Sequence, residues 1–113
     1  GKVALIDLWA SWCGPCRRSS KSMIPVYEKY KSKGFTIVGV AREKTVQTAK
    51  AAALQDGYPW LNLVELNDAG NIWFKYCVGN SGGGTFLVDQ EGKILTISPT
   101  AEDVERILEK MLK

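Results

Sequence analysis

The chain has 113 residues, of which 45% are hydrophobic and 24% charged, and its formal net charge is +3 at pH 7. These values are typical of one soluble globular domain with its own hydrophobic core. Its lysines and arginines are spread along the sequence, which argues against the clustered basic surface of a nucleic-acid-binding protein. No apolar run has the length of a membrane span, so we expect a domain that does not itself cross a membrane.

The sequence enters a strand-like run directly after Gly1, without a charged-then-apolar leader. We interpret residues 1–113 as a single domain excised from a longer chain.

The first predicted strand, roughly Lys2 to Trp9, is apolar except for Asp7. Two interpretations of Asp7 remain open. It is either a strand-end aspartate turned to solvent or a buried carboxyl group, whose burial favours the protonated form. In the second case Asp7 is a general acid/base beneath the cysteines that follow, and it takes the proton from Cys16.

Two cysteines lie where this strand gives way to an amphipathic helical pattern, in Cys13-Gly14-Pro15-Cys16. A thiol at a helix N-terminus faces unpaired N–H groups and the positive end of the helix dipole, which favour the thiolate. Cys13 is therefore predicted to be the nucleophile, with Cys16 one turn further along and within disulfide reach. Pro15 suits a first helical turn. Gly14 is expected to allow a sharp backbone turn and to leave room for a partner's disulfide.

Structural uses of the cysteine pair fit the sequence less well. A disulfide between residues so close in sequence constrains the unfolded chain little. A structural zinc site needs four ligands, whereas the chain has three cysteines and no histidine.

The third cysteine, Cys77, has apolar neighbours and is interpreted as a buried, inert thiol, with a partner thiol near the glycine-rich loop as the alternative. Arg17 and Arg18 are expected to add positive charge near the redox pair.

Downstream of the motif, the pattern predicts a helix from Cys16 to about Lys33, kinked by Pro25 and ended by Gly34. The next apolar run, Phe35 to Ala41, is predicted to be a strand parallel to the first, because a helix of crossover length joins the two. The apolar stripe of the helix is expected to face the core and comprises Met23, Ile24, Tyr27 and Tyr30.

A second helix is predicted from Val46 to Gln55, with Thr45 as its cap and Asp56-Gly57 as its end. Leu61 to Leu66 reads as a short strand, and Ile72 to Val78 remains ambiguous between helix and strand.

A glycine-rich stretch occupies positions 79–84. It lacks the residues and the following helix of a phosphate-binding loop. We predict instead a substrate loop formed by Gly82, Gly83 and Gly84, where another backbone approaches closely.

Two strands, Thr85 to Val88 and Ile94 to Ile97, are predicted to form a β-hairpin across a short glycine-containing connection. The last helix, from about Pro99 to Leu112, has Ser98 as its predicted cap. Its apolar face comprises Val104, Ile107, Leu108 and Met111. The order of elements predicts an α/β fold with a mixed central sheet, helices on both faces, and a C-terminal hairpin and helix.

The stretch from Leu5 to Cys16, Leu-Ile-Asp-Leu-Trp-Ala-Ser-Trp-Cys-Gly-Pro-Cys, closely resembles the active site of thioredoxins. The later Phe-Leu-Val-Asp and Glu-Gly-Lys-Ile segments, residues 86–89 and 91–94, are similar to the TlpA/ResA-like thiol:disulfide oxidoreductases of bacterial envelopes. The resemblance implies a thioredoxin fold in which Cys13 attacks and Cys16 resolves. It also matches Asp7 to the buried acid/base of thioredoxin, and Trp12 to the tryptophan that flanks the cysteines.

Three positions depart from the pattern of the envelope group. Ser19 stands where a glutamate is common, Lys21 replaces the helix-kinking proline, and Gly83 or Gly82 replaces the cis-proline that packs against the cysteines. Because that cis-proline also discourages metal capture, three functions stay open. They are an oxidoreductase with an altered grip on its substrate, a metal or iron–sulfur site shared between subunits through the two cysteines, and a thioredoxin-fold binding module with weak redox activity.

The favoured interpretation is a thiol:disulfide oxidoreductase that acts on protein thiols and disulfides and receives electrons from an upstream donor. We expect a monomer with no dissociable cofactor and no metal. The Gly14-Pro15 pair is shared with thioredoxin and suggests a reducing poise by analogy. The resemblance favours a periplasmic or membrane-anchored bacterial protein, with a cytoplasmic protein as the alternative.

Overall fold

Five strands and four helices make up the part of the chain that the computed structural model describes, residues 3–67 and 84–112. The strands are β1 (Val3–Trp9), β2 (Phe35–Glu43), β3 (Leu61–Leu66), β4 (Gly84–Asp89) and β5 (Ile94–Ile97). The helices are α1 (Gly14–Ser22), α2 (Ile24–Tyr30), α3 (Val46–Asp56) and α4 (Ala101–Met111), and a 3₁₀ turn over Lys31–Lys33 follows α2. The described residues do not include the expected strand start at Lys2, the segment from Ile72 to Val78 with its Cys77, or Gly82 and Gly83.

The strands form one mixed sheet in the order β3-β2-β1-β4-β5. β1 lies parallel to β2, with Leu5 opposite Ile37, and β2 lies parallel to β3. On the other side β1 pairs antiparallel with β4, where Leu5 lies opposite Leu87, and β4 pairs antiparallel with β5. The predicted parallel strand pair, the short strand at Leu61–Leu66 and the C-terminal hairpin are therefore confirmed.

The main apolar core lies on the three central strands. Leu5, Ile37 and Leu87 are side by side in register and almost completely buried. Their cluster is completed mainly by α2 and α4 and includes Met23, Val26, Tyr30, Phe35, Val104, Leu108 and Leu112. Each such side chain contributes roughly 1.5–3 kcal/mol when it leaves water completely. The predicted stripe of the first helix is confirmed as core, because its remaining members, Ile24 and Tyr27, pack against the same cluster.

A second apolar cluster includes residues near the carboxyl ends of β1 and β2 and contains both Cys13 and Cys16. α3 joins this cluster through two alanines, Ala49 and Ala52, whose small side chains let the helix approach closely. Beside it, the Trp9 indole Nε1 donates to Asn62 Oδ1 at 3.0 Å. This bond runs next to Gly39, where a Cβ would overlap the Asn62 side chain.

The helix after the motif is two helices rather than one kinked helix. α1 ends at Ser22, Met23 separates the two, and Pro25 lies in the first turn of α2. A proline is tolerated there because the N–H that it lacks has no helical partner at that position. Gly34 then ends the helical segment with a left-handed backbone, φ 110°. The prediction of one helix kinked at Pro25 is therefore wrong: the helical segment is interrupted at Met23, and Pro25 lies in the first turn of the second helix.

The second predicted helix is confirmed, with Thr45 Oγ1 accepting from the Thr48 N–H at 3.3 Å, and it extends one residue further, to Asp56.

The prediction for the start of the last helix is wrong. Thr100, not Ser98, is the N-cap of α4: its Oγ1 accepts from the Asp103 N–H, and the Asp103 carboxylate accepts from the Thr100 N–H, both at 3.1 Å. This reciprocal capping box satisfies two donors at once, and Ser98 lies outside it with a φ of 51°.

Met111 is also not part of the buried face of α4, since it is 44% exposed, whereas Leu112 is buried.

Candidate active site

A disulfide joins Cys13 and Cys16, whose Cα atoms are 5.3 Å apart. Cys13 is the N-cap of α1, with an extended backbone, and its Sγ accepts from the Cys16 N–H at 3.3 Å. Pro15 lies in the first helical turn. The structure thus places the pair at the predicted strand-to-helix junction, where a thiolate on Cys13 would be stabilised by the helix terminus.

The exposure of the two cysteines does not distinguish them, since Cys13 is 4% and Cys16 9% exposed. Gly14 and Pro15 between the cysteines are exposed, and Trp12, directly before the motif, is 56% exposed. Cys13 is distinguished instead by its position at the end of the helix, because the unpaired N–H groups of the first turn point toward it.

Gly14 does not make a sharp turn. It is the first residue of α1, and its φ is not in the left-handed range. A Cβ at this position would meet only the Arg18 guanidinium, at 3.5 Å. The chain turns before Gly14, in the segment from Ala10 to Cys13, where the Cys13 N–H donates to the Ala10 carbonyl at 3.1 Å. Glycine therefore contributes open space beside the disulfide, as expected, but not backbone freedom.

Asp7 is a buried carboxyl group, 3% exposed, so the solvent-facing alternative is wrong. It lies on β1 between Gly39 of β2 and Thr85 of β4, and the Ser20 hydroxyl of α1 donates to its Oδ2 at 2.5 Å. Burial raises the pKa of Asp7 from 3.8 to about 6, against the smaller opposing effect of the Ser20 hydrogen bond. A carboxyl group with this pKa exchanges its proton near neutral pH.

A cavity of about 190 Å³ connects Asp7 to the redox pair. Cys16, Asp7 and Gly84 all line it, so the cavity brings together one cysteine of the pair, the buried aspartate and the last glycine of the predicted loop. Its other lining residues are Leu8, Pro15, Ser19, Thr85, Ser98 and Pro99. The volume is sufficient for several water molecules, and the polar groups in the wall are the kind that hold them. Ser19, which replaces the glutamate of the envelope group, is part of that wall.

The sequence did not reveal three features of the site: Glu43, the role of Arg17, and the hydrogen bond from Ser20 to Asp7. Glu43, at the end of β2, is 6% exposed and accepts hydrogen bonds from the backbone N–H and the hydroxyl of Ser11. Arg17 was expected to add positive charge near the cysteines. Its guanidinium instead forms a two-bonded ion pair with Asp56, at 2.8 and 3.0 Å, and it holds the pKa of that carboxyl group below its usual value.

Within residues 3–67 and 84–112, no group of three or more histidine, cysteine, aspartate or glutamate side chains is arranged to hold a metal ion. In the same residues, no helix is both long and apolar enough to cross a bilayer.

Residues 1–97 match the model of the AhpC/TSA family. The chain belongs to this family. The chain is 36% identical over 109 residues to the thiol:disulfide interchange protein HelX of Rhodobacter capsulatus, covering 92% of this chain and 57% of that protein. It is 31% identical over 114 residues to the thiol-disulfide oxidoreductase ResA of Geobacillus kaustophilus, covering 98% of this chain and 64% of that protein. The chain therefore spans roughly three fifths of the length of these relatives.

Solved structures agree with this membership. The thioredoxin domain of a thiol-disulfide oxidoreductase from Bacteroides vulgatus superposes with a TM-score of 0.87 at 30% identity, covering all of this chain and 81% of that one. A putative thiol:disulfide interchange protein DsbE from Chlorobium tepidum superposes with a TM-score of 0.79 at 32% identity, covering all of this chain and 82% of that one. The predicted thioredoxin fold and the resemblance to thioredoxin-like oxidoreductases are confirmed, and the Cys13–Cys16 pair fits the redox motif of such proteins.

Proposed function

We propose that this domain catalyses thiol–disulfide exchange on protein substrates through Cys13 and Cys16. The observation that carries the proposal is the disulfide at the N-terminus of α1, next to a cavity that a buried carboxyl group also lines. A purely structural disulfide needs neither the helix terminus nor the carboxyl group. Relatives named as thiol:disulfide interchange proteins and thiol-disulfide oxidoreductases support the same reaction.

In the reducing direction, the reaction has two exchange steps. The Cys13 thiolate attacks one sulfur of a substrate disulfide, so that a mixed disulfide forms and one substrate thiolate leaves. The Cys16 thiolate then attacks the Cys13 sulfur, which forms the intramolecular disulfide and releases the second substrate thiolate. Two electrons pass to the substrate, and an upstream dithiol donor returns the domain to its reduced form. The Gly14-Pro15 pair supports this direction by analogy with thioredoxin.

Asp7 is proposed to be the proton acceptor for Cys16. The buried Cys16 thiol must lose its proton before it attacks, and the carboxyl group lines the same cavity. A pKa of about 6 lets Asp7 accept that proton near neutral pH and release it afterwards.

The substrate side of the site is proposed to consist of Trp12 and the glycine loop. Trp12 projects into solvent beside the disulfide and offers a large apolar contact to an approaching polypeptide. Gly84 lines the cavity from the other side. We propose that Gly82 and Gly83, which lie outside the described residues, also contact the substrate. The domain is proposed to act as a monomer in the cell envelope, periplasmic or membrane-anchored, a location supported by the resemblance to the envelope group.

The experiment is the reduction of insulin by dithiothreitol in the presence of the wild type, Cys13→Ser and Cys77→Ser. We expect acceleration by the wild type, background turnover with Cys13→Ser, and near-wild-type turnover with Cys77→Ser, which removes the thiol interpreted as inert. Equal, background-level turnover in the wild type and Cys13→Ser would refute the proposed activity. Titration of the wild type against glutathione then gives the reduction potential and thus the direction of electron flow.

A further inference from the structure

Ser11 lies in the tight turn that delivers the chain to the nucleophile. The turn runs from Ala10 to Cys13 and is closed by the backbone hydrogen bond between these two residues, 3.1 Å long. Ser11 and Trp12 are its central residues. Because Ser11 is only two residues before Cys13, a displacement of Ser11 also displaces Cys13.

Glu43 holds the amino side of Ser11. Its Oε2 accepts from the Ser11 N–H at 2.5 Å, and its Oε1 accepts from the Ser11 hydroxyl at 2.6 Å. The Thr48 hydroxyl of α3 lies 3.0 Å from the same Oε1 and 2.9 Å from the Thr45 carbonyl oxygen, so its single proton is divided between two acceptors. A carboxylate that is 6% exposed is costly unless several donors satisfy it, and hydrogen bonds to a charged acceptor are the strong ones. These contacts therefore hold Ser11 firmly against the end of β2.

Arg17 holds the carbonyl side of Ser11. Its Nη1 donates to the Ser11 carbonyl oxygen at 3.1 Å. The guanidinium is itself oriented by Asp56 at the end of α3, whose two carboxylate oxygens accept from Nε and Nη2. Tyr58 donates to the same carboxylate at 2.8 Å, which fixes it in turn. Because the guanidinium is a rigid planar fork, orienting two of its nitrogens also orients the third.

We propose that Glu43 and Arg17 are positioning residues of the redox site. Together they form a clamp on Ser11, here called the Ser11 clamp, that sets where Cys13 lies relative to the N-terminus of α1. The inference rests on the proposed function and deepens it by naming what orients the nucleophile. α3 supports the Arg17 half of the clamp through Asp56 at its end. A displacement of a reacting group by about 1 Å can cost roughly a hundredfold in rate.

The test is a matched pair of single-hydroxyl deletions. Ser11→Ala and Thr48→Val each remove one hydroxyl within hydrogen-bond distance of the same Glu43 oxygen, but only Ser11 lies in the turn that carries Cys13. In the reduced proteins we would measure the rate of reaction with a small aromatic disulfide, and the pH profile of alkylation of Cys13 by iodoacetamide. We expect Ser11→Ala to lower the rate about tenfold and to move the alkylation profile, whereas Thr48→Val stays within about twofold of the wild type.

Glu43→Gln and Glu43→Ala extend the test to the clamp itself. The amide oxygen of Gln still accepts from the Ser11 N–H, so Glu43→Gln is expected to retain more of the rate than Glu43→Ala. If Glu43→Ala fails to fold, the Ser11 and Thr48 pair decides alone. Wild-type kinetics in Ser11→Ala, or equal losses in Ser11→Ala and Thr48→Val, would overturn the clamp. A wild type that is inactive toward insulin would instead refute the proposed function, so the two failures are distinguishable.

Discussion

The pKa of Asp7 predicts that replacing this residue stabilises the fold while slowing the reaction. Folding raises the pKa of Asp7 from 3.8 to about 6. The folded state therefore binds the proton more tightly than the unfolded state. This tighter proton binding contributes to the free energy of unfolding. The contribution is fully present below about pH 3.8 and is lost as the pH rises through about 6. At about 1.36 kcal/mol per unit of pKa, the rise from 3.8 to about 6 amounts to about 3 kcal/mol. Asp7→Asn is neutral at every pH and avoids this loss.

The assay is urea unfolding of the oxidised wild type and Asp7→Asn between pH 4 and pH 8. We expect the two free energies of unfolding to differ by less than about 1 kcal/mol at pH 4. The difference should grow to about 3 kcal/mol in favour of Asp7→Asn above pH 7. Ser20→Ala should have the opposite effect, because it removes the hydrogen bond that lowers the pKa of Asp7. The free energy of unfolding of this variant should therefore fall more steeply with rising pH than that of the wild type.

The same Asp7→Asn protein should reduce insulin roughly a hundredfold more slowly at pH 7, the usual contribution of a lost general base. A constant stability difference between the wild type and Asp7→Asn from pH 4 to pH 8 would refute the argument from burial. Unchanged turnover would refute the assignment of Asp7 as proton acceptor, even if the stability result holds.

Three further predictions concern other parts of the molecule. Gly39→Ala should lower the free energy of urea unfolding by about 1–3 kcal/mol, because the new Cβ overlaps the neighbouring β3 side chain. Thr100→Ala should cost about 1 kcal/mol in the same assay through loss of the capping box, whereas Ser98→Ala should cost clearly less; equal costs would contradict the assigned cap. Cys16→Ser should accumulate a stable mixed disulfide with a reacting protein, visible by mass spectrometry as an adduct on Cys13, because the resolving thiol is gone.

Much of the fold was predictable because its signals are local. The run from Val3 to Trp9 and the run from Phe35 into β2 are apolar and strand-like, and the helical length between them predicts their parallel pairing. Thr45 and Gly34 mark a helix start and a helix end through contacts within a few residues. The hydrogen bond of the Thr45 cap, for example, joins residues only three positions apart.

The start of the last helix shows where local signals stop being sufficient. Ser98, Pro99 and Thr100 all fit a helix start, and sequence preference alone favoured Ser98 followed by proline. Thr100 is the cap because Asp103 lies three residues further on and completes a reciprocal pair of hydrogen bonds. Ser98 is instead drawn toward the sheet, where its N–H donates to the Thr85 carbonyl at 2.7 Å. The capping box favours Thr100, and the contact with β4 keeps Ser98 out of the helix.

The sequence by itself determined the chemistry of the site, because a Cys-Gly-Pro-Cys segment at a strand-to-helix junction carries its own helix terminus. The tertiary structure alone decided which distant residues meet around the motif. Asp7 meets Ser20 across 13 positions of sequence, Glu43 meets Ser11 across 32, and Arg17 meets Asp56 across 39. No pattern of composition or periodicity links residues so far apart. Their charged and polar groups meet only because the sheet and its helices bring them together. A polar group that is buried in this way loses its hydrogen bonds to water and must form hydrogen bonds within the protein.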